Sequence, residues 1–104
     1  MEASREEKLR EKLTSELGVA SWKGLLPDTL NKSLFYLSPD IDLVEVGMRV
    51  ALDHLSEVKK LLETGFLTRP TVDQMKHWET EGSLFQFIIV EPFVFFQDYT
   101  EPVC

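Results

Sequence analysis

The chain has 104 residues, 43% of them hydrophobic and 28% charged, with 18 acidic against 11 basic side chains for a formal charge of −7. That length suits a single domain, 1–104, with a core of its own, and the composition excludes global disorder. The acidic balance, with no dense cluster of Lys and Arg, excludes nucleic acid and anionic membrane as expected partners. A lone cysteine, Cys104, excludes an internal disulfide and a multi-thiolate metal site. No apolar run is long enough to span a bilayer, and the start carries no signal-peptide pattern, so a cytoplasmic location is expected.

Ser4 to Leu17 reads as a helix. Ser4 and Glu7 form a capping box, Leu9, Leu13 and Leu17 recur at four-residue spacing, and Gly18 takes the C′ position. So narrow a stripe places the helix on the exterior of the domain or against a partner. Ser21 offers an N-cap to a second helix carrying Trp22, Leu25, Leu26 and Leu30, in which Pro27 predicts a kink or a division into two short turns. Leu34-Phe-Tyr-Leu37 is a short strand candidate.

Asp42 to Asp53 is the most strongly specified helix, capped by Asp42 with Glu45 at the box position. Glu45, Arg49 and Asp53 form one polar seam, and the rest of the circumference is apolar, which marks a buried helix. Gly47, costly inside a helix, predicts close approach of the strand that carries Phe87 and Ile89. Leu55, Val58, Leu61 and Leu62 continue the helical spacing to Gly65, past a bend near His54. Phe66 to Arg69 is a second short strand. Thr71-Val-Asp-Gln74 then caps a further helix with Val72, Met75 and Trp78 as its contacts, ended by Gly82.

Phe85, Phe87, Phe93, Phe95 and Phe96, five of the seven phenylalanines, crowd the last fifth of the chain with Ile88, Ile89, Val90 and Val94. A run apolar on both faces predicts strands Leu84–Val90 and Phe93–Gln97 in the middle of a sheet covered on both sides. The expected fold is α+β: a small sheet of three to four strands packed with four or five helices, with these C-terminal strand segments buried. Residues 1–3 and 98–104 are expected to fray.

Asp40-Ile-Asp-Leu-Val-Glu-Val46 and Val90-Glu-Pro-Phe-Val-Phe-Phe-Gln97 resemble two motifs of a family of short bacterial proteins, the domain of unknown function 2288. The resemblance extends from Leu9 to Gln97 and includes the leucine-rich opening helix and Trp22. It implies the fold and a bacterial cytoplasmic origin, and it brings no activity with it. The chain departs from the family pattern at His54, where relatives carry Asn, and at Phe93, where they carry Trp or Tyr.

Three groups of residues bear on chemistry. Asp40, Asp42 and Glu45 make a carboxylate cluster of the oxygen type that Mg²⁺ and Ca²⁺ favour; the competing reading has Asp42 and Glu45 capping a helix and Asp40 in water. His54, between Asp53 and Glu57, offers an acid–base pair; the competing readings are a core histidine bonded to backbone, or one exposed by a helix break before Leu55. His77-Trp78-Glu79 reads as a helix with an anchoring Trp. There is no G-x-S-x-G, phosphate-cradling glycine loop or H-x-x-x-H pair, so no catalytic residue, metal or cofactor is assigned and the balance leans away from an enzyme. The leading expectation is a non-enzymatic interaction or regulatory module with a protein partner or with itself. A homodimer would form through the Leu9–Leu13–Leu17 stripe or an unguarded strand edge at Phe35–Leu37. The alternative is a small-ligand or metal-binding protein, or an enzyme, using Asp40, Asp42, Asp53 and His54.

Overall fold

The phenylalanine-rich C-terminal strands are the centre of a five-stranded mixed sheet in an α+β fold. The computed structural model describes residues 2–29 and 33–99, with side chains for 5–25 and 33–99. In chain order the elements are α1 (Glu2–Ser15), β1 (Gly18–Ser21), α2 (Trp22–Thr29), β2 (Ser33–Leu37), α3 (Leu43–Ala51), α4 (Leu55–Thr64), β3 (Leu67–Thr68), α5 (Val72–Glu81), β4 (Leu84–Val90) and β5 (Phe93–Asp98). The sheet order is β1-β4-β5-β2-β3. β4 and β5 form an antiparallel hairpin around the cis Glu91-Pro92 turn, with Val90 opposite Phe93 and Phe87 opposite Phe96. β2 runs parallel to β5, and the other pairs are antiparallel.

Strand alternation divides the apolar residues between two cores. Leu37, Ile88 and Phe95 meet Leu13 of α1 and Leu43, Val46 and Met48 of α3 on one face. Phe85 and Phe96 meet Trp22 and Leu25 of α2 and Trp78 of α5 on the other. This two-sided cover is what the unbroken apolar run of the last strands requires.

Several expectations need correction. The sheet has five strands rather than three or four, because Gly18–Ser21 pairs with β4 from Phe87 to Leu84. Gly18 is therefore a strand residue and not a helix C′. A Cβ there would lie 2.6 Å from the Phe87 ring, so the absent side chain is what lets that ring lie over the strand. Ser21 does cap α2, its Oγ accepting from the Gly24 N–H at 3.3 Å. α2 is one helix through residue 27 rather than two turns; the side chains of Leu26, Pro27 and Leu30 lie outside the described residues. α1 starts at Glu2, which puts Ser4 within the helix rather than at its cap. β5 includes Asp98, paired with Phe85, while residues 100–104, also expected to fray, lie outside the described residues.

The helix expected over Asp42 to Asp53 ends at Ala51. Asp53, at φ 62°, turns the chain, and His54 begins α4 as its N-cap. α3 does pack on β4, the strand of Phe87 and Ile89, with Gly47 at the approach, and it meets the Ile88 and Val90 face of that strand: a Cβ on Gly47 would meet Ile88, Leu13 and Val90. Thr71 and Gln74 form the expected capping box of α5, at 2.9 and 3.1 Å, but Val72 is exposed on its first turn. None of the described helices is long and apolar enough to cross a membrane.

Gln97 is the one buried polar side chain among the described residues. Its Nε2 donates to the carbonyls of Ser38 (3.2 Å) and Ile41 (2.9 Å), tying the central strand to the loop that enters α3. The two family-like motifs thus meet through this amide, which bonds the Ile41 carbonyl and adds a second donor to that of Ser38, already bonded to the Ile41 N–H at 3.0 Å.

Candidate functional site

Two carboxylates of the Asp40–Glu45 cluster have separate tasks, and the third is in water. Asp42 Oδ1 accepts from the N–H groups of Val44 (2.9 Å) and Glu45 (3.4 Å), capping α3. Glu45 does not close the expected box; its carboxylate turns to Arg10 of α1 and to Arg49, 3.8 Å away. Asp40 is exposed, its N–H bonded to Ser38 Oγ at 3.4 Å. Among the described residues no group of three or more His, Cys, Asp or Glu is placed to hold a metal ion. Asp42→Ala should lower stability by about 1 kcal/mol through loss of the cap, read as a lower midpoint in urea. A melting temperature that climbs in millimolar Mg²⁺ for the native chain, and not for the variant, would make this carboxylate a ligand instead.

The Asp53, His54 and Glu57 group is brought together in part. Glu57 Oε2 lies 3.0 Å from Arg49 Nε and 3.8 Å from His54 Nδ1, so Arg10, Glu45, Arg49 and Glu57 form a chain of alternating charge across α1, α3 and α4. His54 is not on an apolar helix face. Its side chain is half exposed and makes no cap hydrogen bond, at a position where an Asn would readily make one. Asp53 and His54 border only a broad depression open to solvent, with Ser56 and Lys60.

Two further concavities are marked by no sequence motif. The first is an apolar groove of about 190 Å³ between α4 and the sheet, floored by Phe35, Phe93 and Phe95 and walled by Leu55, Val58 and Leu62. Phe93, the position of Trp or Tyr in the family pattern, stands 6.0 Å from Phe35 and 5.9 Å from Phe95, ring centre to ring centre. The amphipathic α4 contains no buried residue, and Leu55 and Leu62 remain 52% and 42% exposed.

The second is a cleft of about 480 Å³ on the opposite face of the sheet, where Tyr36, Asp73, His77, Trp78, Ser83 and Asp98 converge. Asp73 and His77 lie one turn apart on α5, and the strand register places Tyr36 and Asp98 near the same end of the sheet. The Tyr36 hydroxyl donates to Asp98 Oδ2 at 2.7 Å. Burial pushes the phenol well above its ordinary pKa, and the hydrogen bond and charge of Asp98 act in the same direction, so the phenol stays a donor. The reading of His77-Trp78-Glu79 as a helix with an anchoring Trp holds, since Trp78 packs against Trp22, Tyr36, Phe85 and Phe96. What it missed is His77 at a cleft where its own helix meets Tyr36 and Asp98 from distant parts of the chain.

No curated protein matches the chain. Among solved structures it is similar to the NMR solution structure of PA1075 from Pseudomonas aeruginosa, with 29% sequence identity and a TM-score of 0.73 over 93% of this chain and 90% of that one. A family model matches residues 8–98, from the first helix to the end of the central strand, and on that match the chain belongs to the family described as protein of unknown function (DUF2288).

Proposed function

We propose that this protein is a non-enzymatic interaction module whose recognition surface is the apolar groove beside α4, and that its partner there is a second copy of the chain. The observation that carries the reading is an amphipathic helix with no buried side chain, set beside an aromatic floor. Burial of apolar surface is the main driving force for association, and Leu55 and Leu62 hold a large share of theirs exposed.

The surfaces that first suggested a dimer are used within the chain. Leu13 is buried against α3, with Leu9 and Leu17 packed around it, so the leucine stripe already has its cover. β3 covers the Tyr36–Leu37 end of β2, and the strands at the two sheet edges have four and two residues, short enough to discourage edge pairing. That leaves α4. Two copies of this helix set antiparallel about a twofold axis near Val58 would bring Leu55 of each against Leu62 of the other, a self-complementary arrangement. Lys59 at the groove wall can cover apolar surface with its stem while its ammonium stays in water.

Light scattering tests the reading directly. At micromolar concentration the native chain should show twice the 12.0 kDa mass of one chain. Leu55→Glu combined with Leu62→Glu should return it to one chain, with circular dichroism unchanged because both positions are exposed. A native mass of one chain across a tenfold dilution series, or a dimer indifferent to the two charges, would overturn the proposal.

A further inference from the structure

We infer that α4 is a hinged flap over the aromatic floor of the groove, latched by the Arg49–Glu57 ion pair and free to lift as a unit while the rest of the fold stays intact. Each of the other four helices buries at least one side chain: Leu13 on α1, Trp22 and Leu25 on α2, five residues of α3, and Trp78 on α5. Among the described residues α4 buries none. Val58 and Leu61 touch the core while only partly buried. Units with few buried apolar contacts are the ones that open locally, at a free energy below that of global unfolding.

The backbone at both ends of α4 suits a hinge. Asp53, just before the helix, holds a φ of 62°, a left-handed angle that L side chains adopt at a cost, so a move away from it relieves strain. Gly65, the C-cap at φ 85°, passes between left- and right-handed angles freely. His54 makes no side-chain cap hydrogen bond, which leaves the first turn without that tether. The latch is placed to release. Glu57 Oε2 meets Arg49 Nε at 3.0 Å with the two side chains 50% and 40% exposed, and exposed pairs contribute little. Arg49 stands on the buried α3 and keeps Glu45, 3.8 Å away, as a second partner when α4 lifts. Lifting removes the wall made by Leu55, Val58 and Leu62 and bares Phe35, Phe93 and Phe95. The flap belongs to one chain and does not require the pairing of two.

Native-state hydrogen exchange of the ¹⁵N-labelled chain, read amide by amide, tests the flap. The bonded amides of α4, Lys59 to Thr64, should exchange about tenfold or more faster than Gly47 to Ala51 of α3, through one shared opening whose urea dependence is shallower than that of global unfolding. Arg49→Gln leaves the sequence of α4 untouched, yet should speed α4 exchange roughly two- to fivefold, the change that loss of an exposed ion pair implies. About 1 M salt, where the Debye length falls to about 3 Å, should do the same to the native chain. The double variant Arg49→Gln, Glu57→Gln should exchange no faster in α4 than Glu57→Gln alone, because the arginine has nothing left to hold. Asp42→Ala, which removes the cap of α3, should speed exchange in α3 and leave α4 as it was, since α3 stays folded when the flap lifts. Light scattering on the same samples reads the dimer separately, so a mass of one chain would count against the pairing and not against the flap. Amides of α4 that open only together with α3, that fray in a gradient from the helix ends, or that ignore both Arg49→Gln and salt would overturn it.

Discussion

Phe96→Ala is expected to cost about 3–5 kcal/mol, the range for emptying a buried aromatic site. Phe96 is fully buried on the central strand, opposite Phe87 of β4 on one side and Tyr36 of β2 on the other. Its ring lies 5.1 Å from Phe85 and 5.5 Å from Trp78, both edge to face, and 5.4 Å from Tyr36 and 5.9 Å from Trp22, both tilted. The neighbours come from α2, α5, β2 and β4, so no single element can move in to fill the void without losing its own contacts. A domain of this size has a net stability of only about 5–15 kcal/mol, and the variant should therefore be close to unfolding at ambient temperature. Because Trp22 and Trp78 both belong to the cluster, urea unfolding followed by tryptophan fluorescence reports on it directly. A midpoint that falls steeply with an unchanged slope is the expected result. A cost below about 1 kcal/mol would mean that the cluster recloses over the gap, against the usual partial relaxation of cores.

How much of this was legible in the sequence depends on whether the signal was local. The central position of β4 and β5 was legible, because successive residues feed opposite cores: Phe85 one side, Ile88 the other, then Phe95 and Phe96 in turn. The α5 cap was legible because Thr71 and Gln74 satisfy one another within a single turn. β1 was not. Its two end residues, Gly18 and Ser21, read locally as helix punctuation, while its strand character comes from pairing with β4 more than sixty residues along the chain. The break between α3 and α4 was half legible. Apolar periodicity runs on through it, and one backbone angle at Asp53 redirects the chain and sends His54 to the surface. The candidate sites were the least legible. The cleft gathers Tyr36 of β2, Ser83 of the α5–β4 connection and Asp98 of β5 around four residues of α5, and the one-turn spacing of Asp73 and His77 marks only a shared helix face. The groove was hidden for another reason: the spacing of Leu55, Val58 and Leu62 marks an apolar face but not whether the fold covers it.

Gly47 gives a paired prediction of opposite signs. It lies in the middle of α3 where that helix meets α1 and β4, and a Cβ built there would meet Ile88 Cδ1 at 3.4 Å and Leu13 Cδ1 and Val90 Cγ2 at 3.5 Å. Those are ordinary van der Waals distances, so one methyl group fits and the position is full once it is in place. Gly47→Ala should therefore stabilise the chain by roughly 0.5–1 kcal/mol, since it removes the entropic cost of glycine within a helix. Gly47→Leu must push its remaining carbons into the three side chains that α1 and β4 present there, among which Leu13 and Ile88 are buried, and overpacking of this kind costs about 1–3 kcal/mol. In a domain of about this length, 1 kcal/mol moves the melting temperature by roughly 4–8 °C, so the two variants should bracket the native chain in a thermal scan. A leucine variant that melts with the native chain would place this face of α3 in open space. An alanine variant that melts lower would show that the contacts around Gly47 already exclude a single methyl group.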